Sequence, residues 1–294
     1  MPAKRPRKRP ISSSASAKSG SATISHKVAQ ATISSYHTLL KQRSALNRQL
    51  SKASGSAEND IQARLDKING QLESLGGIEA YQHASVLGQS SQRGGDTSRV
   101  LINWLSELGS KPSGSGTSKP TKLKMLEIGA LTPDNYDSCS SWIENSPMDL
   151  NSRHPDILEQ DFLQRPVPET EEERFDIVSC SLVLNFVGDP TDRGRMLKLC
   201  HAQLRSRPSS LLFITLPLPC VANSRYMTHD HFKRLVESIG FTLVKEQWRE
   251  GGKVACWLWR RREEGSVPAE FGSKKLLNDG KKRNNFTILV GESR

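Results

Sequence analysis

The stretch KLKMLEIGALTPDN, residues 122–135, decides the fold class of this chain. An apolar run ends in an acid, Glu127, and a lone glycine, Gly129, follows in a predicted turn. A second strand-like segment, WIENSPMDL, carries Asp149 twenty residues after Gly129, a spacing that suits a βαβ unit. Glycine lets a backbone approach a ligand closely, and an acid after the second strand accepts hydrogen bonds from ribose hydroxyls. The pattern therefore predicts an α/β domain that binds an adenosine-containing cofactor.

Downstream of this stretch, strand-like and helix-like segments alternate. We predict strands at 124–128 and near 142–148, a short third strand ending in EQDF (159–162), a fourth at 174–187, a fifth at 210–218 and two closing strands in FTLVKEQW and KVACWLWRRR, with helices at 193–204 and 228–240. Strands separated by helices imply a mainly parallel sheet, and the closing pair implies an antiparallel hairpin. Residues 121–294 are therefore predicted to form a Rossmann-like α/β domain.

Candidate binding residues follow the first three predicted strands. In an open parallel sheet, ligands bind beyond the carboxyl ends of the strands, where the strand order reverses. Gly129, Asp149 and Asp161 map to those ends. Glu127 is placed to orient the first loop, Asp161 to accept a hydrogen bond from an adenine amino group, and Phe162 to pack against the ring. Each signal alone has a simpler explanation as a turn or a helix cap, but the ordered set indicates a cofactor site.

The loop EIGALTPD limits the choice of cofactor. It lacks the further glycines of GxGxxG, which dinucleotide phosphates need for close backbone approach. The chain also lacks GxxxxGK[ST], so a P-loop for ATP or GTP is not predicted. One glycine suffices for a cofactor without phosphate, so the loop favours S-adenosylmethionine over NAD.

The beginning of the chain is a basic arm. Residues 1–24 are of low complexity and are predicted to be disordered. Eleven of the 42 Lys and Arg residues lie in the first 57 positions, which contain no Asp or Glu, so the other 31 balance the 31 acidic residues. A one-sided basic arm suits RNA or DNA, and KRPRKRP is typical of nuclear targeting. The alternative is a solvated tail that only keeps the protein soluble.

Residues 25–110 are predicted to form a helical N-terminal region. Apolar residues recur at helical spacing on either side of ASGSAEND, which predicts a hairpin of two helices. The stretch YQHASVLGQSSQRGGDTS, residues 81–98, is polar and rich in turn residues, and it contains Gln89 and Arg93. From composition alone its last residues cap the following helix; the alternative is a lid over the cofactor pocket. Residues 111–120 have the composition of a flexible linker.

Composition argues against a membrane, a disulfide framework and a metal site. No stretch approaches the roughly 18 apolar residues that span a bilayer, and no signal peptide is predicted. The five cysteines are scattered and form no CxxC pair, which indicates reduced thiols. The spacing of His229, Asp230 and His231 fits no zinc pattern, and a helix beginning near Thr228 explains it better.

Several longer motifs carry a family resemblance: SYHTLLK, YQHASVLGQSSQRGGDTS, LEIGAL, MDLNS, EQDFL, FDIVSCSLVLNFVGDPTDRGRML and LLFITLPLPCVANSRYMT. Together, over about Tyr36 to Arg261, they resemble the fungal nucleolar methyltransferase family that modifies adenine N1 in large-subunit ribosomal RNA. The resemblance implies a class I methyltransferase fold with a seven-stranded sheet. It also implies cofactor contacts at Gly129 and Asp149, and it favours the lid interpretation for Gln89 to Thr97. Large-subunit ribosomal RNA and the pre-ribosome are then the expected partners, in the nucleus and nucleolus.

Shared cofactor residues leave other functions open. A related animal branch is similar to this family but is thought of as an S-adenosylmethionine-binding regulator. A sensor that binds the cofactor without methyl transfer is therefore the alternative, and an RNA-binding assembly factor is a third possibility. The basic arm favours the ribosomal branch.

Two residues near the fourth predicted strand are candidates for catalysis. Adenine N1 carries a free lone pair, so its methylation requires orientation rather than prior deprotonation. Asn185 lies where methyltransferases often place an acceptor for the exocyclic amine, and Asp189 is a second candidate. A turn residue that satisfies backbone amides is the other interpretation of Asn185. Phe186, Tyr226 and the Pro217–Pro219 loop are candidates for stacking on an extruded base, although core packing is the better explanation for each aromatic residue.

Overall fold

Two long helices pack against each other at the start of the described chain. A computed structural model describes residues 26–51, 53–77, 79–80, 97–110, 122–152 and 154–291. Helix α1 (His26–Leu50) and helix α2 (Ser56–Ser74) form a hairpin. Their apolar residues alternate three and four positions apart, which places them on one face of each helix. That face is buried at the following positions: Tyr36, Leu46, Ile61, Leu65, Ile68 and Leu72.

Helix α3 (Thr97–Glu107) covers one face of the central sheet. It begins two residues before the predicted RVLINWLSEL segment. Leu101 and Leu105 are fully buried, and the Trp104 ring meets the Phe213 ring edge-on with centroids 5.9 Å apart. The helix is therefore attached to the sheet by its apolar side, and its first residues lie at the sheet's carboxyl edge.

The central sheet has seven strands in the order β3-β2-β1-β4-β5-β7-β6. The strands are β1 (Leu123–Ile128), β2 (Ile143–Asp149), β3 (Leu158–Glu159), β4 (Ile177–Ser181), β5 (Leu211–Pro217), β6 (Phe241–Gln247) and β7 (Val254–Arg261). The first five are parallel, and β7 runs antiparallel to both β5 and β6. The chain order reverses between β1 and β4, which is where a sheet of this kind opens for a ligand.

Helices also cover the second face of the sheet. They are α4 (Pro190–Gln203), the single turn α5 (Pro219–Ala222) and α6 (His229–Gly240). Successive residues of a strand point to opposite faces, and the two cores follow that rule. Met125 packs with α3, whereas its neighbour Leu126 packs in the core that contains α4 and α6. The predicted parallel sheet with a terminal antiparallel pair is confirmed.

The fourth strand is shorter than the sequence predicts. The structure ends it at Ser181, because Leu182 adopts a φ of 58°, a left-handed conformation that a strand does not accommodate. The Leu182 amide instead donates to Thr215 O at 2.9 Å. The apolar run through Val187 predicts a longer strand because a buried loop and a buried strand look alike in sequence.

Other boundaries also shift. Strand β3 contains only Leu158 and Glu159, so Asp161 and Phe162 lie beyond it, at a 3-10 turn. Helix α4 begins at Pro190 rather than Arg193, because Asp189 caps it. The predicted disordered tail, most of the 81–98 loop and the linker lie outside the described residues. None of the described helices combines the length and apolar character needed to cross a bilayer.

Candidate functional site

Glu127 organises the loop that follows β1. The residue is 7% exposed, and both carboxylate oxygens accept short hydrogen bonds. Asn135 Nδ2 donates to Oε1 and Asn145 Nδ2 donates to Oε2, each at 2.7 Å. Thr132 Oγ1 donates to Asn135 Oδ1 at 3.0 Å, which extends the network into the loop. A buried carboxylate is tolerated only with such partners, so the structure supports the predicted orienting role, and direct cofactor contact by Glu127 stays a prediction.

Gly129 makes the turn at the switch point. Its φ is +79°, and a Cβ there would lie 2.4 Å from Val183 Cγ2. The position therefore excludes a side chain for two reasons, conformation and close approach of the loop after β4. The amides of Gly129 and Ala130 both donate to Met148 O, at 2.8 and 3.0 Å. These bonds hold the turn against the end of β2.

Asp149 lies beside that turn. The register pairs Ile128 with Met148, so Asp149 lies one residue further along, level with Gly129. Asp149 Oδ1 accepts a hydrogen bond from the Asn151 amide at 2.9 Å, which fixes the carboxylate at the end of the strand. A glycine turn and a carboxylate on adjacent parallel strands form the arrangement that holds an adenosyl ribose.

Asp161 and Phe162 are placed differently from expectation. Asp161 Oδ1 accepts from the Leu163 amide at 2.9 Å and caps a 3-10 turn. The Phe162 ring is 4% exposed and belongs to the main core. Stacking of this ring on an adenine would require it to leave the core, so the structure assigns Phe162 to packing. Contact of Asp161 with an adenine amino group stays a prediction.

Asn185 supplies a buried acceptor on the loop after β4. The residue is 7% exposed, and its Oδ1 has no hydrogen-bond partner within the described residues. A buried acceptor without a donor costs about 1–3 kcal/mol, and such groups need an explanation. The loop also contains the left-handed Leu182, and local backbone strain of this kind concentrates at functional sites. An acceptor without a partner beside the switch point is consistent with a hydrogen-bond donor on the substrate.

Asp189, the second catalytic candidate, has a structural role. Its Oδ1 accepts from Thr191 N at 2.8 Å and Thr191 Oγ1 at 2.6 Å, which caps α4. Its Oδ2 lies 2.9 Å from Arg48 NH1 of α1. Burial alone raises the pKa of Asp189, but the Thr191 hydrogen bonds and the Arg48 charge outweigh it, so the pKa lies below its ordinary value. The carboxylate is therefore ionised and engaged, and catalysis by Asp189 stays a prediction that this geometry does not favour.

Helix α1 contacts the end of the loop that follows β4. Gly188 approaches it so closely that a Cβ would lie 2.8 Å from Ser44 Cβ. Arg48 adds the ion pair with Asp189 one residue further on. The N-terminal hairpin is thus attached to the loop that carries Asn185. Sequence reasoning missed this contact, because nothing in the local pattern links two segments so far apart in the chain.

The first turn of α3 lies next to the same edge. Thr97 Oγ1 and Ser181 Oγ share a hydrogen bond of 2.8 Å, which joins the helix start to the end of β4. A cavity of about 420 Å³ separates this helix from the β1 loop. It is lined by Ser98, Arg99, Ile102, Thr132, Asp134, Asn135 and Ser138. The predicted lid leads directly into Thr97, but Gln89 and Arg93 lie outside the described residues.

The histidines and cysteines give no sign of a metal centre in the described part of the chain. No cluster there contains three potential ligands. Thr228 Oγ1 accepts from the His231 amide at 3.1 Å, so the HDH segment begins a capped helix as predicted. Burial raises the pKa of the Cys200 thiol well above its ordinary value, which suits a structural side chain.

The strand order, the glycine turn after β1 and the carboxylate after β2 define a Rossmann-like class I methyltransferase fold. Residues 66–288 match the family model described as "25S rRNA (adenine(2142)-N(1))-methyltransferase, Bmt2". The chain belongs to this family.

Two curated relatives agree with the family assignment. A Saccharomyces cerevisiae protein named "25S rRNA (adenine(2142)-N(1))-methyltransferase" is 36% identical over 228 residues, 77% of this chain and 64% of the relative. The match thus spans slightly less than two thirds of that relative's length. A Schizosaccharomyces pombe protein named "25S rRNA adenine-N(1) methyltransferase" is 36% identical over 257 residues, 86% of this chain and 88% of the relative.

Solved structures with some likeness include two N-methyltransferases. NodS from Bradyrhizobium japonicum, in complex with S-adenosyl-L-homocysteine, is 15% identical with a TM-score of 0.39, covering 56% of this chain and 86% of that one. The glycopeptide N-methyltransferase MtfA, complexed with sinefungin, is 12% identical with a TM-score of 0.39. The match covers 60% of this chain and 95% of that one.

Proposed function

We propose that this protein transfers a methyl group from S-adenosylmethionine to N1 of an adenine in large-subunit ribosomal RNA. The observation that carries the proposal is the placement of Gly129 and Asp149 at the switch point of the sheet, in a chain of this family. Both curated relatives are named for adenine-N1 methylation of 25S rRNA, which supports this substrate over a purely regulatory role.

The residues of the site fit the cofactor. A Cβ at Gly129 would lie 2.4 Å from Val183 Cγ2, so glycine lets the β1 turn pack directly against the loop after β4. Asp149 would hold the ribose hydroxyls, and the Gly129 turn would face the adenosyl group without a side chain. When bound, S-adenosylmethionine supplies an electrophilic methyl group.

Asn185 is the residue best placed to act on the base. Its buried Oδ1 can accept a hydrogen bond from the adenine 6-amino group, which fixes the Watson–Crick edge. As N1 takes the methyl group, positive charge develops on the base, and an oriented carbonyl dipole stabilises it. No general base is needed, because N1 attacks through a free lone pair. The chain's task is to hold N1 about 3–3.5 Å from the methyl carbon and in line with it.

The cellular setting is part of the same proposal. An adenine paired within folded RNA hides its N1, so the target must be unpaired or extruded. The basic arm with its KRPRKRP cluster suits both RNA binding and nuclear import. We therefore propose that the protein acts on pre-ribosomes in the nucleolus, before the target adenine is buried in folded RNA.

The test is methyl transfer from labelled cofactor to unmodified large-subunit RNA. We expect label at an adenine N1, detected as a reverse-transcription stop because the methyl group blocks the Watson–Crick edge. Asp149→Ala should weaken cofactor binding far more than RNA binding, and Asp149→Asn serves as the control that keeps the side-chain shape. Tight cofactor binding without label in RNA would instead indicate a sensor. RNA binding without measurable cofactor binding would indicate an assembly factor.

A further inference from the structure

The turn between β6 and β7 places an aromatic side chain at the same edge of the sheet as the site. Strands β5 and β6 both run antiparallel to β7 and are therefore parallel to each other. Trp248, which directly follows β6, thus lies at the carboxyl edge. The Leu218 amide donates to Lys253 O at 2.8 Å, which ties this turn to the segment after β5.

Trp248 is the one exposed aromatic residue in the part of the chain that the structure describes. Its exposed fraction is 46%, whereas Trp104, Trp142, Trp257 and Trp259 are all buried. The indole leaves a large apolar area half in water at the edge of the site, and burying that area against a partner would be favourable. The exposure therefore suggests a partner.

The indole rests on a rigid support. The Trp248 and His229 rings stack with centroids 4.2 Å apart and an angle of 28°. The His229 ring centroid lies 6.1 Å from that of Trp257. The Trp257 ring in turn packs against the Phe232 ring in the core, with centroids 4.7 Å apart. Both ring nitrogens of His229 are buried without a hydrogen-bond partner in the described structure. Burial lowers the pKa of His229, so the ring stays neutral at pH 7 and serves as a flat packing surface.

The turn offers two exposed cations, Arg249 and Lys253. Glu250 lies between them, so the turn itself carries a net charge of +1. Beside the stacked rings, Lys233 lies within ion-pair distance of both Asp230 and Glu246, which partly neutralises these carboxylates. An exposed aromatic face with flanking cations is the combination that binds single-stranded nucleic acid, since bases stack on the ring and phosphates pair with the cations.

We propose that Trp248, supported by His229, is a stacking platform for an unpaired base of the RNA substrate, with Arg249 and Lys253 contacting the adjacent phosphates. This inference rests on the proposed RNA substrate and adds a second contact to it. Strand β6 lies three strand spacings from β4 in the sheet, about 14 Å. The platform therefore holds a nucleotide near the target adenine, while the target itself lies by Asn185.

The test compares Trp248→Ala with the matched variant Trp248→Phe. An aromatic stack on one base corresponds to roughly a 5- to 100-fold effect on affinity. We expect Trp248→Ala to weaken binding of unmodified large-subunit RNA within that range, and Trp248→Phe to weaken it less. Affinity for S-adenosylmethionine and for a duplex RNA of equal length should stay unchanged in both variants, which also shows that they fold.

Fluorescence gives an independent readout. Because the other four tryptophans are buried, single-stranded RNA should quench mainly the Trp248 emission, and the quenching should vanish in Trp248→Phe. Unchanged RNA affinity of Trp248→Ala would overturn the platform, and so would an equal loss on single-stranded and duplex RNA. Wild-type protein that binds no RNA would overturn it as well.

The two proposals fail separately. Trp248-dependent RNA binding without methyl transfer would contradict the proposed function but not the stacking platform. Methyl transfer by Trp248→Ala with an unchanged KM for RNA would contradict the stacking platform but not the proposed function.

Discussion

Gly129 and Asn185 are the residues at which local structure and proposed chemistry are most closely linked. Gly129 has a backbone conformation and a contact with Val183 that only glycine accommodates. Asn185 has a buried oxygen that the described protein leaves without a donor. The unmet acceptor of Asn185 costs stability, whereas Gly129 adopts its left-handed φ without strain. Both residues lie near the ends of the two strands that flank the switch point.

Gly129→Ala should weaken S-adenosylmethionine binding by at least about 10-fold. The added Cβ would lie 2.4 Å from Val183 Cγ2, and a left-handed φ costs a non-glycine residue about 1–2 kcal/mol. Calorimetric titration measures the affinity. The control is Gly129→Ala combined with Val183→Ala, which removes the steric part and leaves the conformational part. Unchanged affinity in the single variant would take Gly129 out of the cofactor site.

Asn185→Ala should lower kcat for methyl transfer by about 100- to 1,000-fold, as loss of an oriented dipole typically does. KM for S-adenosylmethionine should not change, because Asn185 is assigned to the base. Stability should hold or rise slightly, since the variant removes a buried acceptor that lacks a partner. Single-turnover kinetics and urea unfolding measure the two effects. A large loss of stability with a matching loss of cofactor affinity would instead make Asn185 a structural turn residue.

At the scale of elements, the contact between α1 and the start of α4 connects the N-terminal hairpin to the loop that carries Asn185. Arg48 pairs with Asp189, which also caps α4 through Thr191. Arg193 anchors the loop from beneath, since its Nε donates to Val187 O at 2.9 Å. Burial lowers the pKa of Arg193 to about 10, so the guanidinium remains charged at neutral pH. The loop is therefore held both by α4, which follows it directly, and by α1, which is distant in sequence.

Asp189→Ala should lower the free energy of unfolding by about 1–2 kcal/mol, the usual cost of removing a helix N-cap. Arg48→Ala should cost less than about 1 kcal/mol, because the Arg48 side chain is 52% exposed and solvent screens its charge. Urea unfolding measures both. Asp189→Asn is the matched control, since asparagine caps a helix well but carries no charge. Equal losses in the alanine and asparagine variants would mean that the charge matters and the cap does not.

The same pair makes stability depend on pH. The pKa of Asp189 is lower in the folded protein than its ordinary value of 3.8. Its stabilising contribution is therefore complete above that ordinary value and is lost as pH falls through the folded-state pKa. Wild type and Asp189→Asn should differ in stability near neutrality and converge in acid below about pH 4. A difference that persists unchanged in acid would contradict an ionised, paired Asp189.

For the whole molecule, the main asymmetry is electrostatic. The first 57 residues carry all of the formal net charge of +11, and the remainder is balanced. Six of these eleven cations lie in residues 1–24 and four lie in helix α1, so we expect both the arm and the N-terminal hairpin to add long-range attraction to RNA.

Removing residues 1–18 should leave S-adenosylmethionine affinity unchanged. It should weaken RNA binding and flatten its dependence on salt, because fewer counterions are released when fewer cations meet phosphates. Nucleolar accumulation should also fall. The control replaces the Lys and Arg residues of the arm with glutamine at unchanged length. A truncated protein that still concentrates in nucleoli, with an unchanged salt slope, would leave the arm without either role.

The sequence by itself determined the features that depend on near neighbours. Alternation of apolar residues predicted the strands, Gly129 and Asp149 marked the switch point, and Thr228 predicted a helix cap. These are readable because strand and helix periodicities and caps involve residues within four positions of each other. The lid and the basic tail are outside the described residues and stay predictions.

Only the tertiary structure decided which of these residues meet. In the fold, Asn145 donates to Glu127, and Arg48 forms an ion pair with Asp189. Phe162 packs in the core, and Asn185 Oδ1 has no partner among the described residues. The fold also places Trp248 at the carboxyl edge of the parallel strands, directly after β6. The reason is physical: contacts between distant segments depend on strand register and on the packing of helices across the sheet, which no local pattern encodes.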